Sequence, residues 1–422
     1  MENLNFFKKK SLELDKNDSL NNFRNYFYSE SDLIYFDGNS LGRLPKSTID
    51  QTNEVIRNQW GRELIQSWNK HWFKLINDTT IHLSEMFQCN PSELFVGEST
   101  SNNLYKVIDS LAGTKKFNTI ITDSLNFPSD IYIIEEICSR HNLRFEFLKY
   151  NNDIECEIDR LKNTIQNNPN SIISLSLVSY KSSYCYPYRD LNELCEKNNC
   201  ELVWDLSHAA GALNLNLKKD KFSFTVGCTY KFLNGGPGSP AFIFVSKEKI
   251  KSINSTIRGW FGHSKPFDFS LKYEQSNSIE KFRSGTPHIL SLSTLPSSLS
   301  ITNEASIKKI DKKRILMIKY FSEMFDNLLV NRGFNYESPN ISEIGSHISI
   351  SHNESWRICK SLINPKSGNK FILDYRPDRF LRIAITPLYS SFKELFLLVE
   401  RLVFIVDSKE YNLHNNSKDI VT

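Results

Sequence analysis

Residues 201–212 read ELVWDLSHAAGA. A short run of apolar, β-forming residues stops at an acid, Asp205, and passes into a helix-like stretch with a histidine three positions on. The same texture recurs on both sides. LFV (94–96), NTIIT (118–122), RFEFLKY (144–150), SIISLSLVSY (171–180), ELVW (201–204) and FTVGC (224–228) alternate with longer stretches of helical spacing. This alternation predicts an α/β domain built on a mainly parallel sheet, in which ligands sit at the carboxyl ends of the strands. The residues just after each run therefore carry the functional information. Beyond about residue 295 the pattern changes to a long helical segment (SIKKIDKKRILMIKYFSEMFDNLLVNRG), strands near HISIS and KFILDY, and a final amphipathic helix from about 391 to 406. These predict a smaller α+β domain, and the polar end HNNSKDIVT is expected to fray.

The chain has 422 residues, enough for two domains and a deep site. Its 52 Lys and Arg against 48 Asp and Glu leave a surplus of 4, spread along the chain with no basic tract longer than the three residues of KKK at 8–10. So weak and scattered a charge argues against a nucleic-acid partner. Eight cysteines, at 89, 138, 156, 185, 195, 200, 228 and 359, form no C-x-x-C pair and no spacing that suits zinc. Neither a metal site nor a disulfide framework is expected. The opening MENLNFFKKKSLELDKND lacks the apolar core of a signal peptide, and LFLLVERLVFIVD is broken by Glu400 and Arg401. A soluble, cytoplasmic protein without a membrane partner is the expectation.

Four features gather at the strand ends. After LFV comes GESTSNNLYKV (97–107), a hydroxyl-rich entry into a helix, where free N–H groups and the helix dipole favour an anion. NTIIT is followed by DSLNFPSDIY (123–132), which brings an aromatic residue, a proline and an acid. Asp205 follows ELVW, and by itself it reads equally well as the cap of the next helix. After FTVGC, Lys231 stands between Tyr230 and Phe232, just before a Gly-Gly-Pro-Gly turn. A phosphate cradle, a flat aromatic face, a buried acid and a lysine on one rim suit pyridoxal 5'-phosphate. Its aldehyde takes a lysine as a Schiff base, its ring nitrogen stays protonated beside a carboxylate, and its phosphate needs an anion site.

The segments YFDGNSLGRLP (35–45), STSNNL (99–104), FPSDIY (127–132), WDLSHAAGA (204–212), CTYKFLNGGPG (228–238), GWFGH (259–263), SGTP (284–287), GSH (345–347) and RIAITPLYSSF (382–392) together resemble the kynureninases. These are fold-type-I pyridoxal-phosphate enzymes, and the resemblance runs over almost the whole chain. It implies a transferase-like fold: a large domain over residues 51–295 with a mainly parallel seven-stranded sheet, and a small domain over 296–422. An N-terminal arm, residues 1–50, would contribute to the small domain and to the interface of a homodimer with sites between subunits. The implied reaction is hydrolysis of L-kynurenine to anthranilate and L-alanine, in the kynurenine pathway of tryptophan catabolism that feeds NAD biosynthesis.

Carried over position by position, Lys231 resembles the Schiff-base lysine and Tyr230 the phosphate-contacting tyrosine that also donates protons. Thr100 and Ser101 match the phosphate-binding pair, and Phe127 matches the aromatic that stacks on the cofactor ring, with Pro128, Ser129 and Asp130 completing its loop. Asp205 and His208 match the ring-nitrogen acid and its neighbour, and Ser176 matches a weaker cofactor contact. Trp260 and Thr286 match pocket residues that approach the phosphate. Arg382 matches the arginine that grips the substrate carboxylate in bidentate fashion, while Ser40 and Trp68 match residues lining the space for the aromatic ketone. Trp68 with Thr286 resembles the type that prefers kynurenine to 3-hydroxykynurenine; Trp68 reads alternatively as part of a packing surface with Trp60 and Trp72.

Three positions depart from the pattern: Glu98 replaces an aspartate, Asn102 replaces an aliphatic residue, and SYKSSYCYPY (179–188) lacks a glycine expected after its strand. The nearest rival is another class V enzyme of this fold, a cysteine desulfurase or an aminotransferase. None of the eight cysteines sits in the Gly/Ser-rich loop a desulfurase needs. A silent scaffold would be expected to have lost Lys231, Asp205 or Arg382, and a metal hydrolase on Asp205 and His208 lacks nameable further ligands.

Overall fold

The computed structural model describes residues 2–415. The expected fraying of the terminal segment lies, from residue 416 on, outside the described residues. The first strand, β1 (Leu33–Tyr35), belongs to the N-terminal arm. A seven-stranded sheet comes next, made of β2 (Leu94–Val96), β3 (Thr119–Asp123), β4 (Arg144–Leu148), β5 (Ser171–Ser176), β6 (Glu201–Asp205), β7 (Phe224–Gly227) and β8 (Phe242–Val245). Its order is β2-β8-β7-β6-β5-β3-β4. All strands run in one direction except β8, which pairs antiparallel with both β2 and β7.

Adjacent residues of each central strand feed opposite cores, because side chains alternate across a pleated sheet. Ile120, Ile172 and Val203 pack with Leu104, Val107, Ile108 and Leu111 of helix Thr100–Ala112. Their neighbours Ile121, Ile173 and Trp204 pack on the other face with Leu83, Met86 and Phe87 of helix Phe73–Phe87. Burial on both faces explains why these strands read as continuous apolar runs rather than alternating ones. Each such side chain contributes about 1.5–3 kcal/mol when fully buried.

The small domain carries β9 (Asn335–Tyr336), β10 (His347–Ser351), β11 (Lys370–Ile372), β12 (Asp374–Arg376) and β13 (Phe380–Ala384). Four of them form an antiparallel sheet in the order β12-β13-β10-β9, and β11 pairs in parallel with β1. The arm is thereby stitched to the small domain, and Tyr320 donates a 2.8 Å hydrogen bond to the Phe7 carbonyl of the opening helix Glu2–Lys16. Helix Leu295–Ala305 straddles the expected boundary at 295/296. Its Leu295 and Leu299 lie in the large-domain core, and its Ile301 and Ala305 pack with Leu20, Phe27, Leu388 and Tyr389.

Four local readings change. FTVGC leaves the sheet at Gly227, so Lys231 lies in a turn beyond the strand. KFILDY is two strands serving two different sheets. AFIFV supplies β8, a strand absent from the β-rich runs that the sequence displays most openly. The run SIISLSLVSY is shorter as a strand than it reads: it stops at Ser176, and Val178 bridges back to Cys185. Beyond it Ser183 adopts φ +69°, taking the left-handed role for which a glycine was missed. Among the described residues no helix is long and apolar enough to cross a membrane.

Candidate active site

Lys231 is held by a compact turn. The chain leaves β7, Gly235 N–H donates to the Thr229 carbonyl at 2.9 Å, and Asn234 N–H donates to the Lys231 carbonyl at 2.9 Å. Gly236 and Gly238 take φ of +84° and +73°, left-handed values that a residue with a Cβ rarely adopts. The turn delivers Lys231 Nζ to 3.3 Å from His208 Nε2 and 6.0 Å from the centroid of the Phe127 ring. Three sequence-predicted residues from three strand ends therefore meet.

Asp205, the last residue of β6, is buried, and one of its oxygens accepts from Ser207 N–H at 2.8 Å and Ser207 Oγ at 2.6 Å. Burial raises its pKa, although the Ser207 hydrogen bonds and the Lys231 charge pull the other way. Asp130 is buried in the first turn of helix Pro128–His141, and its Oδ2 has no partner. Desolvation first, then repulsion from Asp205, holds its pKa well above the usual carboxylate range. His208 is pushed the opposite way, well below the ordinary imidazole value, by burial and by the Lys231 charge. An imidazole kept neutral beside an ammonium group can accept its hydrogen bond.

Two helix starts meet beside these groups. Thr100 opens helix Thr100–Ala112 with its Oγ1 buried and unpartnered, and Ser101 Oγ lies 2.8 Å from Ser129 Oγ in the first turn of the other helix. Unpaired N–H groups and hydroxyls at two converging N-termini make an anion cradle. Ser176, the last residue of β5, acts one step back. Its Oγ donates to Asn126 Oδ1 at 2.7 Å, and the same oxygen accepts from Phe127 N–H at 2.9 Å, so Ser176 fixes the loop carrying Phe127 and Pro128.

The other end of the site is built by the small domain and the arm. Arg382 on β13 is 1% exposed, and its Nε and Nη2 donate to the two carboxyl oxygens of Asp374 on β12, the first at 2.7 Å. Arg382 Nη1 donates to the Tyr180 carbonyl at 2.6 Å, and Ser40 Oγ is 3.2 Å from Nη2. Tyr180 sets its ring edge-on to Phe127 at 5.2 Å, which ties this cluster to the Lys231 group. The arm closes from above: Gly42 N–H donates to the Tyr230 carbonyl at 2.7 Å and Arg43 N–H to Asn234 Oδ1 at 3.0 Å. Burial, followed by the nearby Cys228 and Asp205, pushes the Tyr230 hydroxyl pKa up.

Trp260, Thr286 and Trp68 stand apart. Among the described residues no hydrogen bond or ring contact joins them to the Lys231 group. Trp68 packs on Trp72, Phe73 and Phe261 at 5.2, 5.3 and 5.8 Å between centroids, and Trp260 packs on Phe261, Phe267 and Phe269. Trp260 is 41% exposed and Thr286 lies on the surface.

Asp37, Asn39, Asp374, Arg376 and His347 were not singled out from the sequence. His347 is fully buried, with its ring 5.7 Å from that of His208. Neither of its ring nitrogens has a hydrogen-bond partner, and burial lowers its pKa to about 3. Asp374 could have been found: it pairs across the hairpin with Arg382, so a β-hairpin around RPDRF would have set the two face to face. Among the described residues no group of three or more His, Cys, Asp or Glu side chains could hold a metal ion.

Comparisons with known proteins bear on the fold and on the family. Solved structures share the fold. The apo structure of cysteine desulfurase from Thermococcus onnurineus NA1 matches with a TM-score of 0.80 at 16% identity, over 92% of this chain and 98% of that one. The cysteine desulfurase CsdA from Escherichia coli matches with a TM-score of 0.76 at 14% identity, over 94% of this chain and 99% of that one. At such identities the likeness concerns the fold alone. Sequence relatives go further. The kynureninase of Pseudomonas fluorescens is 31% identical over 95% of both chains, and that of Shouchella clausii (strain KSM-K16) is 32% identical over 99% of this chain and 98% of its own. Residues 34–354 match the aminotransferase class-V family and residues 310–402 the kynureninase C-terminal domain. With both domains matched, and with relatives aligned along nearly its full length, the chain belongs to the kynureninase family, a branch of the fold-type-I pyridoxal-phosphate enzymes.

Proposed function

We propose that the protein hydrolyses L-kynurenine to anthranilate and L-alanine with pyridoxal 5'-phosphate as its cofactor. The observation that carries this reading is the meeting of Lys231, His208 and Phe127, with buried Asp205 within reach of the Lys231 charge, and a buried, unpartnered Thr100 hydroxyl at a helix start. These residues fit the cofactor. Lys231 would hold its aldehyde, Asp205 its ring nitrogen, and Thr100, Ser101 and Ser129 its phosphate, while Phe127 faces its ring. When bound, the cofactor supplies an electron sink for carbanion chemistry at the substrate α-carbon.

The chain's own groups do the rest. Lys231 Nζ moves the α-proton, and neutral His208, 3.3 Å away, accepts from Lys231 when it is protonated. Asp205 would meet a positive ring nitrogen with opposite charge inside a buried site, where that attraction is least screened. Tyr230 keeps its proton because burial raises its pKa, which suits a donor. The Arg382 cluster orients the substrate carboxylate, with Ser40 at its edge.

The site works in a homodimer in the cytoplasm. Trp260, Thr286 and Trp68, unconnected to Lys231 within one chain, would complete a partner's pocket, and Trp68 would disfavour the hydroxyl of 3-hydroxykynurenine. Exposed apolar side chains on the same surface, including Trp60, Ile65, Phe269 and Leu271, support an interface there.

A cysteine desulfurase needs a reactive thiol, and none of the eight cysteines is exposed. Burial pushes the least buried two, Cys89 and Cys185, up to about 12. Incubation with L-kynurenine is expected to release anthranilate and alanine in equal amounts, with no sulfide from L-cysteine. Sulfide release, or amino transfer to a keto acid as the main reaction, would replace this reading with one of its rivals.

A further inference from the structure

Both ring nitrogens of His347 are buried, and neither makes a hydrogen bond. A buried polar group without a partner is destabilising, so a fully buried imidazole at the start of β10 calls for a reason. The strand does not need the ring. The His347 backbone N–H donates to Ser183 Oγ at 3.1 Å, and the residue pairs with Ala384 of β13 whatever its side chain.

The surroundings of the ring have a polarity. His208 lies 5.7 Å away between ring centroids, and its own Nε2 is 3.3 Å from Lys231 Nζ. The Lys181 carbonyl also acts on the His347 ring and favours a proton there, short of hydrogen-bond geometry. Burial, Lys231 and Arg382 disfavour charge on both rings; His347 and Arg376 add to this at His208, and Asp374 opposes it at His347. Both imidazoles therefore stay neutral, each with one N–H and one lone pair.

The two ends then decide which nitrogen carries each proton. A protonated Lys231 has only donors, so His208 Nε2 accepts and the proton of that ring sits on Nδ1. A carbonyl only accepts, so the proton of His347 faces Lys181 and its other nitrogen keeps a lone pair. His208 has a donor to place, and His347 has an acceptor to offer. One water spans such a separation.

We propose that His347 is a positioning residue: it accepts from His208 Nδ1–H through one water and so holds His208 in the tautomer that presents a lone pair to Lys231. With the opposite tautomer, Nε2–H would face the ammonium group donor to donor and disfavour the protonated Lys231 that forms when it takes the substrate α-proton. That catalytic consequence rests on the reading of the Lys231 pocket as an amino-acid site. The tautomer does not.

The test uses His347→Leu, which removes both ring nitrogens, His347→Gln, which keeps an amide acceptor, and His208→Gln to assign the His208 signals. NMR of the apoprotein, labelled in its histidine ring nitrogens, reads the tautomer directly. Wild type and His347→Gln are expected to carry the His208 proton on Nδ1, and His347→Leu to show a mixture of both forms. In protein loaded with pyridoxal phosphate, exchange of the L-alanine α-proton in D2O should slow about 10- to 100-fold in His347→Leu and stay within about threefold of wild type in His347→Gln. Thermal midpoints of both should stay near wild type. A His208 tautomer unmoved by His347→Leu, or exchange slowed equally in both variants, overturns the inference. A thermal midpoint that falls together with exchange marks a structural role and overturns it as well. A wild-type protein that takes up no cofactor overturns the functional reading, and the NMR result then decides the tautomer by itself.

Discussion

Asp37 lies in the FDGNSLG segment with one carboxyl oxygen buried and unpartnered. Burial, reinforced by Asp374, pushes its pKa up to about 7, against the opposing pull of Ser40, Arg382 and Arg376. In the unfolded chain the same group ionises near 3.8. Between those values the folded protein holds a proton that the unfolded chain has released, so folding loses stability as pH rises from about 4 to about 7, and no more is lost above. Asp37→Asn removes that loss. Its thermal midpoint relative to wild type should therefore be higher at pH 8 than at pH 5 by at least about 1–2 °C. A difference that is the same at both pH values would remove Asp37 from this role. At this scale the sequence exposed Lys231, Asp205 and Thr100 because each comes after a readable strand, and a cofactor's chemistry asks for all three. It concealed Asp374 and Arg376, whose meaning depends on a hairpin register and on an arginine arriving from the facing strand.

Among the elements, the contact between the arm and the Lys231 turn joins two motifs that lie far apart in the chain. Gly42 has no room for a side chain: a Cβ there would stand 2.2 Å from the Lys231 carbonyl oxygen and 2.6 Å from Asn234 Cα. Both neighbours are backbone and cannot step aside. Gly42→Ala should therefore push the arm off the turn, at a cost of about 1–3 kcal/mol in stability. The Gly42 to Tyr230 hydrogen bond should go with it, and the purified variant should retain less bound cofactor than wild type. A variant that folds with full cofactor content would show that the arm does not hold the turn. The glycine was visible in the sequence, but not its neighbour, since no local pattern tells which distant turn a loop will meet. Strand β8 was missed for a related reason: AFIFV reads as an apolar run, and only the sheet order shows that it runs backwards between β2 and β7.

For the molecule as a whole, the two-domain α/β architecture was legible because parallel strands buried on both faces leave uninterrupted apolar runs, while the helices keep their own period. The proposed homodimer rests on the family resemblance and on exposed apolar side chains. Ile65 is 76% exposed and Phe269 73%, apolar side chains that suit the proposed subunit interface. On the proposed dimer, the double substitution Ile65→Asp with Phe269→Asp should shift the sedimenting species to monomer and lower cofactor retention, because Trp260 and Thr286 would then be unable to complete the neighbouring pocket. A wild-type protein that sediments as a monomer would contradict the dimer.

The central claim is that the Lys231 pocket is a pyridoxal-phosphate site, and borohydride reduction of the yellow holoprotein followed by peptide mass analysis tests it most directly. The account predicts a phosphopyridoxyl mass on the peptide containing Lys231 and no label in Lys231→Ala. A protein that stays colourless after reconstitution, or a label on a different lysine, would contradict it.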